Sequence, residues 1–282
     1  MLKLFARKKN DPDRLLASVL EGYELPSFPG IITSLLEQLA KEDVSLSAVA
    51  DQLAVDPGLS VRLLTTVNSA AFSIRNEIRS VHHAVHLLGR AQIESMLISI
   101  AVHSTLPCEP APGFVPARFW SAAARRAAIA AVFAERVDPG AASESFTAAL
   151  LQDLAVPILA HHRGEEYGAL LDEWHAGKGD LCELERRAYG WDHAEVGASV
   201  CRRWGMPETF TDAIGVHHAD DPTGPLPAAR LVSCLPETGP ERAAAVLSAR
   251  AQRWFGLPPE SSKAMIEEGL ARAPEVARML AV

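Results

Sequence analysis

Ile32, Leu35, Leu36 and Leu39 recur three and four residues apart, and the same spacing returns at Leu59, Leu63, Leu64 and Val67 and at Val81, Ala84, Val85 and Leu88. Residues so spaced share one face of an α-helix, and nowhere in the chain do two neighbouring apolar runs alternate strictly around a hairpin turn. The chain therefore reads as all-α. Its punctuation sets the expected helix limits. A first helix is expected over 12–21, and a second after Leu25-Pro-Ser-Phe-Pro29. Ser45 opens a third, and Asp56-Pro57 supplies an N-cap followed by proline at the first helical position for a fourth. Ser80 caps a short helix that stops at Gly89, with a longer one over 90–104 beyond it. Asp180-Leu-Cys-Glu183 and Asp192-His-Ala-Glu195 have the capping-box pattern and each start a helix.

Pro107-Cys-Glu-Pro-Ala-Pro-Gly113 and Pro116 form the strongest breaker in the chain. They divide it into a flexible basic tail at 1–14, a helical first half at 15–106, a linker at 107–116, a helical second half at 117–220 and a helical extension at 221–282. In that extension, helices are expected over 243–255 and 261–270. Pro157 cannot sit in an unbroken helix interior, so a break is expected at 154–156 with a new helix from 157.

Composition narrows the function classes. With 48% hydrophobic and 22% charged residues in 282, the chain has the balance of an ordinary globular protein. A net charge of −8 disfavours a nucleic-acid surface, with Arg125-Arg126 and Arg202-Arg203 as small local basic patches. Cys108, Cys182, Cys201 and Cys234 form no C-x-x-C pair, which points to core or surface thiols in a reducing, cytoplasmic compartment. No apolar run approaches the roughly 18 residues of a membrane span, and the basic start lacks the apolar region of a secretion signal.

The chemistry turns on Gln152-Asp153, a polar pair inside the apolar run from Leu150 to Ala160. A His-Asp pair there, joined by further His and Asp residues, would supply the ligands that divalent metals accept. Here the first member is a glutamine, whose amide is a weak neutral ligand with no titratable nitrogen. On the short helix after Ser80, His82, His83 and His86 fall opposite the apolar stripe. His82 and His86 have metal-compatible spacing, but without a further ligand near in sequence they read as a solvated face. Asn68, at the end of the fourth helix, can satisfy a free carbonyl or amide.

Taken in order, the motifs resemble the HDOD domain, a degenerate relative of HD-type metal phosphohydrolases and of HD-GYP cyclic-dinucleotide phosphodiesterases. In the first half they are Leu25-Pro-Ser-Phe-Pro29, Asp56-Pro-Gly-Leu-Ser60, Asn68-Ser-Ala-Ala-Phe72 and the Leu88-Gly89 helix end. In the second half they are Phe119-Trp120, Ala149-Leu-Leu-Gln-Asp153, Tyr189-Gly-Trp-Asp-His-Ala-Glu-Val-Gly-Ala198, Trp204-Gly-Met-Pro207 and His217-His218. The resemblance implies a two-part all-helical HDOD fold, with an N-terminal helical subdomain and an HD-like bundle, and a role in bacterial signalling.

It also implies what has been lost. Ala122 or Ala123 stands where HD enzymes carry a ligand histidine, Gln152 replaces the histidine of His-Asp, and Ala155, Val156 and Pro157 replace a glycine and a lysine. Asp153, His193, His217 and His218 survive as a vestigial site, with His161 or His162 as candidate neighbours. The expectation is a module with no catalytic residue, no bound metal and no cofactor, acting on an unidentified signalling protein. Asp56, Pro57, Asn68, Ser69 and Phe72 are the docking candidates, and self-association into a homo-oligomer stays open. A divergent metal phosphohydrolase and a nucleotide-sensing pocket without turnover are the rival expectations.

Overall fold

A computed structural model describes residues 12–68, 77–235 and 240–280. Residues 1–11 of the basic tail, and Ser69 and Phe72 among the docking candidates, lie outside these described residues. Among the described residues every regular element is helical, and the one β feature is an isolated bridge between Ala111 and Phe114.

The first half holds α1 (Pro12–Val19), α2 (Gly30–Leu39), α3 (Leu46–Val55), α4 (Pro57–Val67) and α5 (Val81–Thr105). The caps are those the sequence announces. Ser45 accepts from the amide of Ala48, Asp56 from Leu59 with Pro57 at N1, and Ser80 from His83. Gly89, at φ 72° and ψ 179°, takes a conformation that a side chain would resist and splits α5 into two straight pieces, at 81–88 and 90–105. α5 is long and apolar enough overall to cross a membrane. The piece beyond Gly89 falls short of the roughly 20 residues a span needs, and Ile93, Leu97 and Ile98 are buried in the protein core.

At the end of α4, Asn68 works as a clamp. Its Nδ2 donates to the carbonyls of Leu64 (2.8 Å) and Ile78 (2.7 Å), and its Oδ1 accepts from the amide of Ile78 (2.6 Å). The side chain thus ties the end of one helix to the strand-like approach to the next. His82 and His86 are exposed. A carboxylate that the sequence places far away, Asp51 of α3, lies 2.9 Å from Nε2 of His82, and His86 contacts Ser47.

The second half comprises α6 (Pro116–Val137), α7 (Ala142–Leu151), α8 (Ala155–Arg163), α9 (Glu165–His175), α10 (Leu181–Tyr189), α11 (His193–Arg203) and α12 (Glu208–Gly215). After it come α13 (Pro227–Leu231), α14 (Pro240–Phe255) and α15 (Pro259–Leu280). One continuous cluster of buried apolar side chains runs from Leu16 to Ile266 with no gap at 107–116, α1 packing on α11 and α5 on α7. The C-terminal helices belong to this core. α15 lies along α6 so closely that a Cβ on Gly269 would meet Ile129 at 2.6 Å to Cγ1 and 2.7 Å to Cα.

Several limits differ from expectation, among them these. α1 stops at Val19 rather than 21. The break at the polar pair falls at 152–154, and α8 starts at Ala155, because proline fits anywhere in a helix's first turn, where its missing N–H has no carbonyl to reach. α15 runs to Leu280 through Pro274, where Ala273 and Val276 pack against Ala124 and Ala128 of α6 and offset the lost hydrogen bond.

Candidate functional site

Asp153 stands in the turn between α7 and α8, where its carbonyl accepts from the amide of Val156 (2.9 Å) and its carboxylate is left to face inward. Three imidazoles reach it from two other elements. His193 is the first residue of α11, whose cap Asp192 accepts from Glu195 (2.9 Å). His217 and His218 follow α12, and Nδ1 of His217 donates to the carbonyl of Ile214 (2.6 Å) at the end of that helix.

Oδ1 of Asp153 lies 3.4 Å from Nε2 of His193 and 3.2 Å from Nε2 of His217, and Nε2 of His218 lies 2.9 Å from Nε2 of His193. His193 and His217 are each 1% exposed. They are buried members of one cluster. All four sequence candidates are thus brought together. His161 and His162 are not, since His161 bonds back to the carbonyl of Pro157 and packs on Phe114, and His162 packs on Tyr23. Ala122 and Ala123 are buried in the core, and Gln152, 2% exposed, leaves its Oε1 without a hydrogen-bond partner.

Two further layers are visible only in three dimensions. Behind His193 lies Glu185 of α10, fully buried, whose Oε2 accepts from Nδ1 (2.8 Å) and from the backbone amide (2.9 Å) of His193, while Tyr167 donates to Oε1. Sγ of Cys182 is 3.8 Å from the same Nδ1. In front of Asp153 lies Arg126 of α6, 2% exposed, with Nη2 2.6 Å from Oδ2. The Arg125-Arg126 pair is therefore not a surface patch. Arg126 sits on the helix three and four residues past Ala123 and Ala122 and turns into the centre.

These contacts set the protonation states. Burial alone would raise the Asp153 carboxyl, but Arg126 and the bonds from His193 and His217 outweigh it and hold it well below the usual carboxylate range. Burial would likewise lower His193, yet Glu185, with Asp153 and Cys182, lifts it well above the usual histidine range. Burial, helped by the neighbouring His217 and His193, pushes His218 far down. These opposite shifts favour the proton on His193 over His218 at the short contact between their Nε2 atoms. Two acidic side chains, Asp153 and Glu185, flank His193, and the Arg126 guanidinium stands on the far oxygen of Asp153.

One donor atom from each of Asp153, His193, His217 and His218 lies within 4.8 Å of the others, a set that suits one borderline divalent ion. Glu185 on His193 and the Ile214 carbonyl on His217 are outer contacts of the kind that metal-bound imidazoles carry. The group contains a single carboxylate, which Arg126 faces, and Cys182 and Glu185 form a second possible ligand group with the same His193.

The HDOD domain model matches residues 25–220. Three solved structures share the fold. They are an HDOD domain protein of unknown function from Geobacter sulfurreducens (23% identity, TM-score 0.72, covering 95% of this chain and 96% of that one), a provisionally named phosphohydrolase from Shewanella amazonensis SB2B (23%, 0.71, 94% and 97%), and a provisionally named signal transduction protein from Marinobacter aquaeolei VT8 (22%, 0.70, 95% and 61%). An uncharacterized protein of Treponema pallidum (strain Nichols) is 24% identical over 207 residues, which are 73% of this chain and 40% of that protein, so the match spans less than half of the relative's length.

Proposed function

The chain belongs to the HDOD family, and from that membership we propose that it is a non-catalytic regulatory module that acts by binding a signalling protein. One observation carries this reading: the guanidinium of Arg126 stands against Asp153, where a hydrolase of related fold would need its metal-bound water. Hydrolysis of a phosphoester also calls for positive charge at the leaving phosphate. Here Nη2 of the guanidinium faces the site's own carboxylate, which leaves only Nε open. The surface on which this reading puts the partner is the cleft where α4, α5, α7 and α15 meet, lined by Val61, Met96, Ile100, Phe146, Leu150 and Leu280.

The test combines two assays on the full chain. Hydrolysis of bis(p-nitrophenyl) phosphate is measured with manganese, magnesium and zinc, and partners are captured from the native cell with wild type and with Val61→Lys, which charges the cleft at an exposed position. The reading predicts no turnover with any metal and loss of specific partners in the variant. Turnover abolished by His193→Ala would overturn it. Asn68→Ala is a poor probe of docking, since it breaks the clamp to Ile78.

A second reading has its own observation, the convergence of three imidazole nitrogens and a carboxylate on one point. In it Asp153, His193, His217 and His218 hold a single metal ion, which would polarise a bound phosphoryl oxygen. His193 would then have to give up the proton it shares with His218, and Arg126 would have to swing from Asp153.

A further inference from the structure

Beside the cluster is a cavity of about 110 Å³, lined by Arg126, Asp153, His193, His218, Trp174 and Cys234, with Asp180 also at its wall. At roughly 30 Å³ per liquid water, it has room for a few waters or one tetrahedral oxyanion. The groups around it are unequally satisfied. His193 is bonded on both nitrogens, Glu185 on both oxygens, and Asp153 faces two imidazoles and a guanidinium.

Like Nε2 of His217, Arg126 is an exception. Its Nη2 is close to Oδ2 of Asp153 but out of line for a hydrogen bond, and its Nε also has no acceptor, so two buried guanidinium nitrogens lack hydrogen-bond partners at 2% exposure. The Nε edge of this planar fork, which has no acceptor, matches one oxygen of a phosphoryl group or a similar oxyanion beside the ion pair with Asp153.

The geometry points to a metal-independent binding site for a phosphoryl oxyanion, held by Arg126 in the cavity bounded by His218, Trp174 and Cys234. This rests on the reading above, in which the guanidinium is the resident cation of the site, and it adds a ligand class to it. The anion is recognised by the cation that displaced the metal, so the site binds without hydrolysing. Inorganic phosphate and the phosphate of a nucleotide share this chemistry.

Calorimetric titration of the full chain, stripped with EDTA and held at constant ionic strength, tests it with two probes, inorganic phosphate and adenosine monophosphate. One saturable site is expected, with Kd of about 1 mM or tighter. Arg126→Met should weaken it at least tenfold, and Cys234→Leu, which fills the cavity without touching the ion pair, should weaken it similarly. Equal affinity for the two probes identifies the free oxyanion as the ligand, and a tenfold preference for the nucleotide identifies the nucleotide. No binding of either probe, or binding that both variants leave unchanged (an adventitious ion only), overturns the proposal. The metal content of Arg126→Met reports separately on the underlying reading, which survives a negative titration if wild type still excludes metal.

Discussion

Nη2 of Arg126 stands 2.6 Å from Oδ2 of Asp153, with the arginine side chain 3% and the aspartate side chain 14% exposed. An ion pair so placed adds little net stability when formed, because both charges are desolvated, but removing one partner strands the other. Arg126→Met should therefore destabilise the fold by about 3–5 kcal/mol in chemical denaturation at pH 7. The double variant Arg126→Met/Asp153→Asn should recover a substantial part of that loss. A single variant as stable as wild type would show that the pair is not desolvated.

Glu185 neutralises His193 and fixes which of its nitrogens faces Asp153. Glu185→Gln keeps the volume and one acceptor but loses the charge, so the His193 pKa should fall and stability should drop by about 2 kcal/mol. Tyr167→Phe, which removes the donor to Oε1 alone, should cost about 1 kcal/mol. NMR titration of the His193 ring in the Gln variant checks the first expectation, and denaturant melts check both.

The two histidines in mutual contact respond to pH in opposite directions. His218, with a depressed folded pKa, takes up no proton in the folded state while the unfolded chain does, so stability is lost as pH falls below about 6.5, by up to about 1.4 kcal/mol per pH unit. His193, with a raised folded pKa, contributes fully below that pH and loses its contribution as pH rises through its folded value. Asp153, with a lowered pKa, contributes above its unfolded value and loses that only in stronger acid. His218→Asn should therefore flatten the stability profile between pH 6.5 and 5 and leave the alkaline limb unchanged.

Gly269 brings α15 against the backbone of α6 at Ile129. An alanine there gains helix propensity but forces its Cβ into Ile129 at contact distances no side chain tolerates, and the obstacle includes backbone. Gly269→Ala should cost about 1–3 kcal/mol and lower Tm by several degrees. An unchanged Tm would mean that α15 is not seated on α6 in solution.

Much of this architecture is legible in the sequence because its signals are local. Ser45, Asp56-Pro57, Ser80, Asp180 and Asp192 each announce a cap, and each side chain accepts the amide that local chemistry assigns to it. Asp153 stands out as a charge inside an apolar run, and His193 and His217-His218 stand out through the motifs that resemble the HDOD domain. Arg126 does not stand out, since beside Arg125 it looks like surface charge. What signals otherwise is its phase, one turn past Ala122 and Ala123 on the apolar face of an alanine-rich helix. Glu185 is hidden in the same way among Arg186, Arg187 and Glu183, and only the packing of α10 against α11 turns it inward. The run of α15 through Pro274 depends on its contacts with Ala124 and Ala128, which lie about 150 residues away in sequence and leave no local trace.

The central claim is that an internal guanidinium holds the place of a metal. The direct measurement is the zinc, manganese and iron content of protein purified without chelator, by elemental mass spectrometry, for wild type and for Arg126→Ala. The account predicts wild type far below one metal ion per chain and a rise in the variant, where Asp153 and three imidazoles are freed to bind. One or more tightly held ions per wild-type chain, lost on His193→Ala, would contradict it.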